Sequence, residues 1–420
     1  MGSSQRGFTA MRSMLITSSF LVVALVGSSA LARPAATKAG IAVSAHPLAS
    51  EAGATILRSG GNAADAAAAI ALALAVVEPY SSGLGGGGFA LVKMGESLEF
   101  IDFREVAPHR ATRTMYIRDG VGDALASRDG IGSVAVPGAV AGYLELQARH
   151  GVLKREEVLA PAIALARDGF QVTPRYQDYV GWRLELLRKD PEISRIFLVQ
   201  DPNGEWVSPT LGHTIIQPDL HNTLLTLSKV GASAFYSGSI ADMLVADMKA
   251  RGGLIEKKDL EAYRVRYRKP LVGSYRGHTV VSSPPPSSGG QILLTLLNIL
   301  ETRESPSTWR DPEFVHLYIE ASKRAFADRA LLGDPDFLPY LPELLGHLIA
   351  KDRATLLSQV INGRATTARN VPAAQGSALP FNVPRKGPAP SSAGTDTSHL
   401  SVIDKDGNAV AMTTTVNYGW

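Results

Sequence analysis

Residues 395–417 read TDTSHLSVIDKDGNAVAMTTTVN. A stretch from Thr366 to Asp396, rich in Ala, Pro, Gly, Ser and Thr, ends here; by composition it is a linker. From Leu400 the character changes. Leu400, Val402 and Asp404 alternate with Ser401 and Ile403, Asp404–Asn408 (DKDGN) supplies a turn, and Ala409 to Val416 returns, which predicts a hairpin. A threonine where a flexible linker runs into a strand suits a self-cleaving nucleophile. The Thr397 hydroxyl would attack the Asp396 carbonyl, and cleavage would free the Thr397 α-amino group. That amine has an unperturbed pKa near ~8, so it can act as base for its own hydroxyl at neutral pH. Taken alone, the position fits the ordinary β-propensity of threonine equally well.

The N-terminal half predicts the elements around this hairpin. Ile41–Ser44 reads as a strand and Pro47–Arg58 as a helix stopped by Gly60-Gly61. Asn62 caps a second helix, Ala63–Val77, which Pro79 ends. That helix is almost entirely Ala, Leu, Ile and Val, so it is expected to be buried on all sides, with Asp65 suited to the dipole at its N-terminus. Residues 81–89 (SSGLGGGGF) contain a formal GxGxxG. They follow a helix and open a strand, the reverse of the dinucleotide-binding context, so the glycines point to close backbone approach instead. Ala90–Lys93 and Leu98–Phe103 form an antiparallel pair around Met94-Gly95-Glu96. Residues 142–348 read as mostly helical, most clearly at Gly151–Phe170 and Pro312–Leu331. Ser287 and Ser288 are candidate caps for a helix Gln291–Glu301. The whole predicts layered α and β, with sheets sandwiched by helices.

The chain has 420 residues, 45% hydrophobic and 19% charged, with a net charge of +3. This is a globular composition and points away from nucleic-acid binding; the most basic stretch, Arg264–Lys269 (RVRYRK), reads as a solvated strip. Without cysteine there is no disulfide, thiolate metal site or Cys nucleophile, and the nine histidines show no HExxH spacing. There is neither a GxSxG elbow nor a P-loop. Arg6 and Arg12, the apolar run Met14–Val26 and Ala30-Leu31-Ala32 together read as an export signal over residues 1–32, with a mature start near Arg33. The apolar run is short of the ~20 residues that span a bilayer. The expected location is therefore secreted and periplasmic.

Several long stretches, in order, resemble the γ-glutamyltranspeptidase family: residues 60–92 (GGNAADAAAAIALALAVVEPYSSGLGGGGFALV), 102–108 (DFREVAP), 132–143 (GSVAVPGAVAGY), 159–170 (LAPAIALARDGF), 282–301 (SSPPPSSGGQILLTLLNILE) and 397–417. The resemblance covers nearly everything from Gly40 onward. It implies an α/β N-terminal nucleophile hydrolase fold, an αββα sandwich incomplete at the C-terminus. It also implies a precursor cleaved into a large part, 33–396, and a small part beginning at Thr397. By the same resemblance Thr397 is the nucleophile and processing residue, and Thr415 supports it. Arg104 holds the α-carboxylate of the γ-glutamyl group, and Asn417 touches the substrate's amino-acid end. Without the motif, Arg104 would read as a surface or Glu105-paired arginine. The implied reaction moves a γ-glutamyl group from glutathione or related amides to water, an amino acid or a dipeptide, with no metal or organic cofactor.

One departure accompanies the resemblance. The family supplies further small-part residues, an acidic group, a Ser-Ser pair and a Gly-Gly oxyanion hole, that have no counterpart before Trp420. The expectation is that residues 33–420 alone do not turn over substrate. Two rivals stay open: a cephalosporin or glutaryl acylase, and a truncated, non-catalytic remnant.

Overall fold

Asn62 opens the helix around which the other elements are arranged. In this computed structural model, which describes residues 35–304, 308, 310–374 and 397–419, the Asn62 side chain accepts from the Ala64 and Asp65 amides while Asp65 accepts from the Asn62 amide. This reciprocal cap satisfies amides that a helix start leaves open. The residues predicted as export signal, and most of the predicted linker, lie outside the described residues. Helix α2 (Ala63–Val77) follows α1 (Pro47–Arg58), with the bounds expected from the sequence. All 15 residues of α2 are buried, and each fully buried Leu, Ile or Val contributes roughly 1.5–3 kcal/mol. Asp65 does more than suit a dipole: it also accepts from Gln147 Nε2 and from the Val152 and Leu153 amides.

Helix α2 packs against a seven-stranded antiparallel sheet. The N-terminal strands are β1 (Ala35–Thr37), β2 (Gly40–Ser44), β3 (Gly87–Met94) and β4 (Ser97–Asp102). Farther along come β5 (Arg266–Arg268), the hairpin β6 (Leu271–Tyr275) and β7 (His278–Ser282), and the terminal hairpin β8 (Thr397–Asp404) and β9 (Ala409–Thr415). The sheet order is β1-β2-β8-β9-β3-β4-β5, so the last hairpin in the sequence occupies the middle. Its alternation is strict: Ser398, Leu400, Val402 and Asp404 face the helices, while Thr397, His399, Ser401 and Ile403 lie on the open face. Helices α3 (Ala139–His150) and α4 (Arg155–Asp168) close over α2, and α5 (Pro174–Leu187) follows in sequence.

Two expectations are corrected, for the basic strip and for the helix that follows Ser288, and two others gain detail. The middle region is mostly helical, as expected, and also carries short strands: β5 joins the main sheet and β6 pairs with β7. The basic stretch 264–269 is not simply a solvated strip: Arg268, on β5, is drawn inward by ion pairs to Asp102 at 2.7 Å and Asp336 at 3.2 Å. Helix α6 (Gly289–Glu301) begins two residues early, and Ser288 makes no capping bond; the Ser287 hydroxyl accepts from the Gly289 amide instead. The expected mix of helix and sheet is present: the described residues form one large sheet with helices on one face, and the remaining strands form two-stranded pairs.

Candidate active site

Thr397 is the first residue of β8 and pairs directly with Thr415, the last of β9. Their hydroxyls meet at 3.4 Å, with Thr397 donating. The Thr415 hydroxyl also accepts from the Asn417 amide at 2.8 Å. Asn417 has a φ of 74°, a left-handed conformation that asparagine tolerates better than most residues, and it turns the chain out of the ladder just after the threonine. The sequence-derived pair Thr397–Thr415 is thus adjacent in space, and Asn417 contributes its backbone.

Arg104 belongs to the same row. Thr415 pairs with Gly87, and Gly88 and Phe103 exchange both backbone hydrogen bonds. Arg104 therefore lies opposite Gly87, so Thr397, Thr415, Gly87 and Arg104 cross four neighbouring strands in register. Three interstrand steps put the end residues roughly 14 Å apart along the backbone. The glycines expected to allow close approach do so here. A Cβ on Gly86 would lie 2.0 Å from the Thr415 carbonyl oxygen, and one on Gly88 would lie 2.1 Å from that of Thr413.

The Arg104 backbone is held firmly. Its amide donates to Asp102 at 3.0 Å, its carbonyl accepts from the Tyr263 hydroxyl at 2.9 Å, and Asp102 is anchored by Arg268. The guanidinium is exposed and lies over the Phe89 ring, without an ion-pair partner among the described residues. Glu105 does not pair with it; burial raises the Glu105 carboxyl above its ordinary range, against the pull of Arg104. A cavity of about 330 Å³ opens beside Arg104, lined also by His109, Tyr263 and Arg268. Thr397 and Thr415 do not line it, so the cavity marks the guanidinium end of the row rather than the hydroxyl end.

Sequence reasoning missed what stands behind the row. The Ser398 hydroxyl, fully buried, donates to Glu78 at 2.6 Å. The Thr414 hydroxyl contacts that of Tyr143, equally buried. Strand alternation alone would have turned Ser398 and Thr414 toward the helices, and Glu78 is a lone carboxylate ending an apolar helix. Those were the available signals.

Chemically, the row offers two hydroxyls 3.4 Å apart and, on the same sheet face, a guanidinium with no ion-pair partner among the described residues. No group of three or more potential metal ligands occurs among the described residues. The gamma-glutamyltranspeptidase family model matches residues 49–420. A glutathione hydrolase proenzyme of Pseudomonas sp. (strain A14) is 38% identical over 389 residues, covering 91% of this chain and 64% of the relative; the chain thus spans under two thirds of that protein's length. The crystal structure of Helicobacter pylori gamma-glutamyltranspeptidase superposes with a TM-score of 0.75 at 36% identity, covering 80% of this chain and 96% of that one. A cephalosporin acylase from Bacillus halodurans superposes with a TM-score of 0.74 at 28% identity, covering 92% and 67%. The chain belongs to the gamma-glutamyltranspeptidase family and has its N-terminal nucleophile hydrolase fold.

Proposed function

We propose that this protein transfers γ-glutamyl groups from glutathione and related amides to water or to an amino-acid or dipeptide acceptor, through an acyl-enzyme on Thr397. The observation that supports the reading is the row itself: the Thr397 and Thr415 hydroxyls and the Arg104 guanidinium in register on one sheet face. An extended arginine side chain and one glutamyl unit together span a gap of that order.

The sequence is self-cleavage followed by transfer. Thr397 Oγ1 attacks the Asp396 carbonyl carbon, the C–N bond breaks as the C–O bond forms, and the hydroxyl proton passes to the departing nitrogen. Water then hydrolyses the ester, leaving an Asp396 carboxylate and a Thr397 with a free α-amine. That amine takes the hydroxyl proton when Thr397 attacks the γ-glutamyl carbonyl, and the proton leaves with the departing amine. Arg104 grips the donor's α-carboxylate with its planar fork, and Thr415 orients the nucleophile. No step calls on a metal or organic cofactor. In this reading residues 1–32 are removed on export to the periplasm, and the mature protein comprises a large part from Arg33 to Asp396 and a small part from Thr397. Asn417 contributes to the substrate's amino-acid end. No helix among the described residues is long and apolar enough to cross a membrane.

The acylase likeness supports a second reading. A glutaryl amide carries the same terminal carboxylate and lacks only the α-amino group, so Arg104 serves either substrate. Assays of the full-length protein on γ-glutamyl and glutaryl anilides separate the two: preference for the γ-glutamyl compound is expected, and preference for the glutaryl one overturns the assignment. In the same assay Arg104→Lys is expected to lower kcat/KM roughly ten- to a hundredfold, mainly through KM, because a point charge cannot replace a bidentate fork. An unchanged kcat/KM would place Arg104 outside the site.

A further inference from the structure

The helix-facing side of the hairpin changes character along its length. In its middle, Leu400, Val402, Val410 and Met412 pack against α2 as an apolar surface. At the end bearing Thr397 the same face carries Ser398 and Thr414, both fully buried, and each meets a polar partner: Glu78 for Ser398 and Tyr143 for Thr414. The turn that begins at Glu78 also holds the other strand, since the Val416 amide donates to the Ser81 carbonyl at 3.2 Å. One bracket thus grips both strand ends directly behind the Thr397–Thr415 pair.

Packing alone gives no reason for Glu78. It caps the C-terminus of α2, where the helix dipole disfavours an anion. It is fully buried, and its nearest cation, Arg175, stands at 3.8 Å. An apolar residue facing an alanine would fill this space without the cost of burying a carboxyl. What the carboxyl adds is directional hydrogen bonding: it accepts from Tyr80 and, at 2.6 Å, from the Ser398 hydroxyl on β8. Successive side chains of a strand point to opposite faces, so fixing Ser398 from behind fixes the residue before it, Thr397, in front.

We propose that Glu78 is a positioning residue for Thr397: through the Ser398 hydroxyl, it holds the start of β8 in the orientation that the nucleophile needs. The inference rests on Thr397 being that nucleophile. Displacement of a reacting group by about 1 Å costs up to roughly a hundredfold in rate, so a single directional bond one residue away has a large lever.

The test measures self-cleavage of the full-length protein, as accumulation of a fragment beginning at Thr397, alongside the urea midpoint. Ser398→Ala and Glu78→Leu are expected to slow cleavage by about tenfold or more. Ser398→Thr, which keeps the hydroxyl, is expected to stay within about threefold of the parent. The decisive variant is Glu78→Leu with Ser398→Ala. Removing both partners leaves no unpaired Ser398 hydroxyl, while the Tyr80 hydroxyl loses its carboxylate alike in the single and double Glu78→Leu variants, so the urea midpoint should rise above that of Glu78→Leu while cleavage stays slow. A purely structural role would restore both together, and that result overturns the proposal. So does a parental cleavage rate in Ser398→Ala, which carries the test should Glu78→Leu not fold. A parent that yields no fragment beginning at Thr397 overturns the nucleophile assignment, and this proposal with it; parental rates in the variants of a protein that does cleave overturn this proposal alone.

Discussion

Helix α2 meets strand β8 at both ends, and each end uses a carboxylate, with opposite physics. At the turn end Asp404 faces the helix N-terminus and accepts from the Ala63 amide at 3.0 Å, as well as from Asn408 and the Asp406 amide. Burial pushes its carboxyl up, but the bonds from Asn408, Ala63 and Asp406 win, and it is held below the ordinary range. At the other end Glu78 occupies the helix C-terminus. Burial raises its carboxyl, and the Ser398 bond, the Arg175 charge and Tyr80 do not cancel that. The helix, with 15 residues, is about 22 Å long. The strand, with 8 residues, is about 26 Å long. One rigid rod therefore braces the whole strand. The favourable carboxylate secures the fold. The unfavourable one sits behind the site, where orientation matters more than stability.

The sharpest way to break this contrast is to remove each carboxylate. Asp404→Ala strands the Ala63 amide and the turn amides, and is expected to cost about 2–4 kcal/mol, read from the urea midpoint. Glu78→Gln keeps an acceptor for Ser398 and removes a buried charge, so its stability is expected within about 1 kcal/mol of the parent. Equal losses would show that the two ends do the same job.

The pH dependence of stability sharpens the contrast next. Asp404 titrates in the folded protein below its ordinary 3.8, so its contribution is present above that value and lost as pH falls through the folded pKa. Glu78 titrates above its ordinary 4.5, so its contribution is present below that value and lost as pH rises through the folded pKa. Asp404→Asn should flatten the acid limb of a midpoint-against-pH curve, while Glu78→Gln should raise the curve relative to the parent above about 4.5. Shifts of the same sign in both variants would contradict the assignment.

The smallest expected effect is at the second polar contact behind the row. Tyr143→Phe removes the partner of a buried Thr414 hydroxyl, which keeps only a long approach of 3.5 Å to the Gly87 carbonyl. A loss of about 1 kcal/mol is expected in the urea midpoint. A neutral substitution would mean that the Thr414 hydroxyl needs no partner.

The elements legible in the sequence were those whose signals are local. Helices α1 and α2 and the hairpin β8–β9 follow from caps, glycine stops and alternation within a dozen residues. What escaped depends on distant pairing. Nothing near Thr397 says that β8 and β9 enter the sheet between β2 and β3. Nothing near Arg268 says that Asp102 draws it out of a basic surface strip. Thr397 was a candidate from its place where linker meets strand, Thr415, Asn417 and Arg104 came from family resemblance, and register then placed Thr397, Thr415 and Arg104 in one row. Glu78 lies within a resembling stretch but was passed over, because its partner is 320 residues away.

The nucleophile assignment is tested most directly by intact-mass and N-terminal analysis of the purified full-length protein beside its Thr397→Ala variant. The account predicts a parent split into two pieces, the second beginning at Thr397, and a variant that stays in one piece and forms no acyl-enzyme. A variant that still splits between Asp396 and residue 397 would contradict it, because another group would then be performing the cleavage.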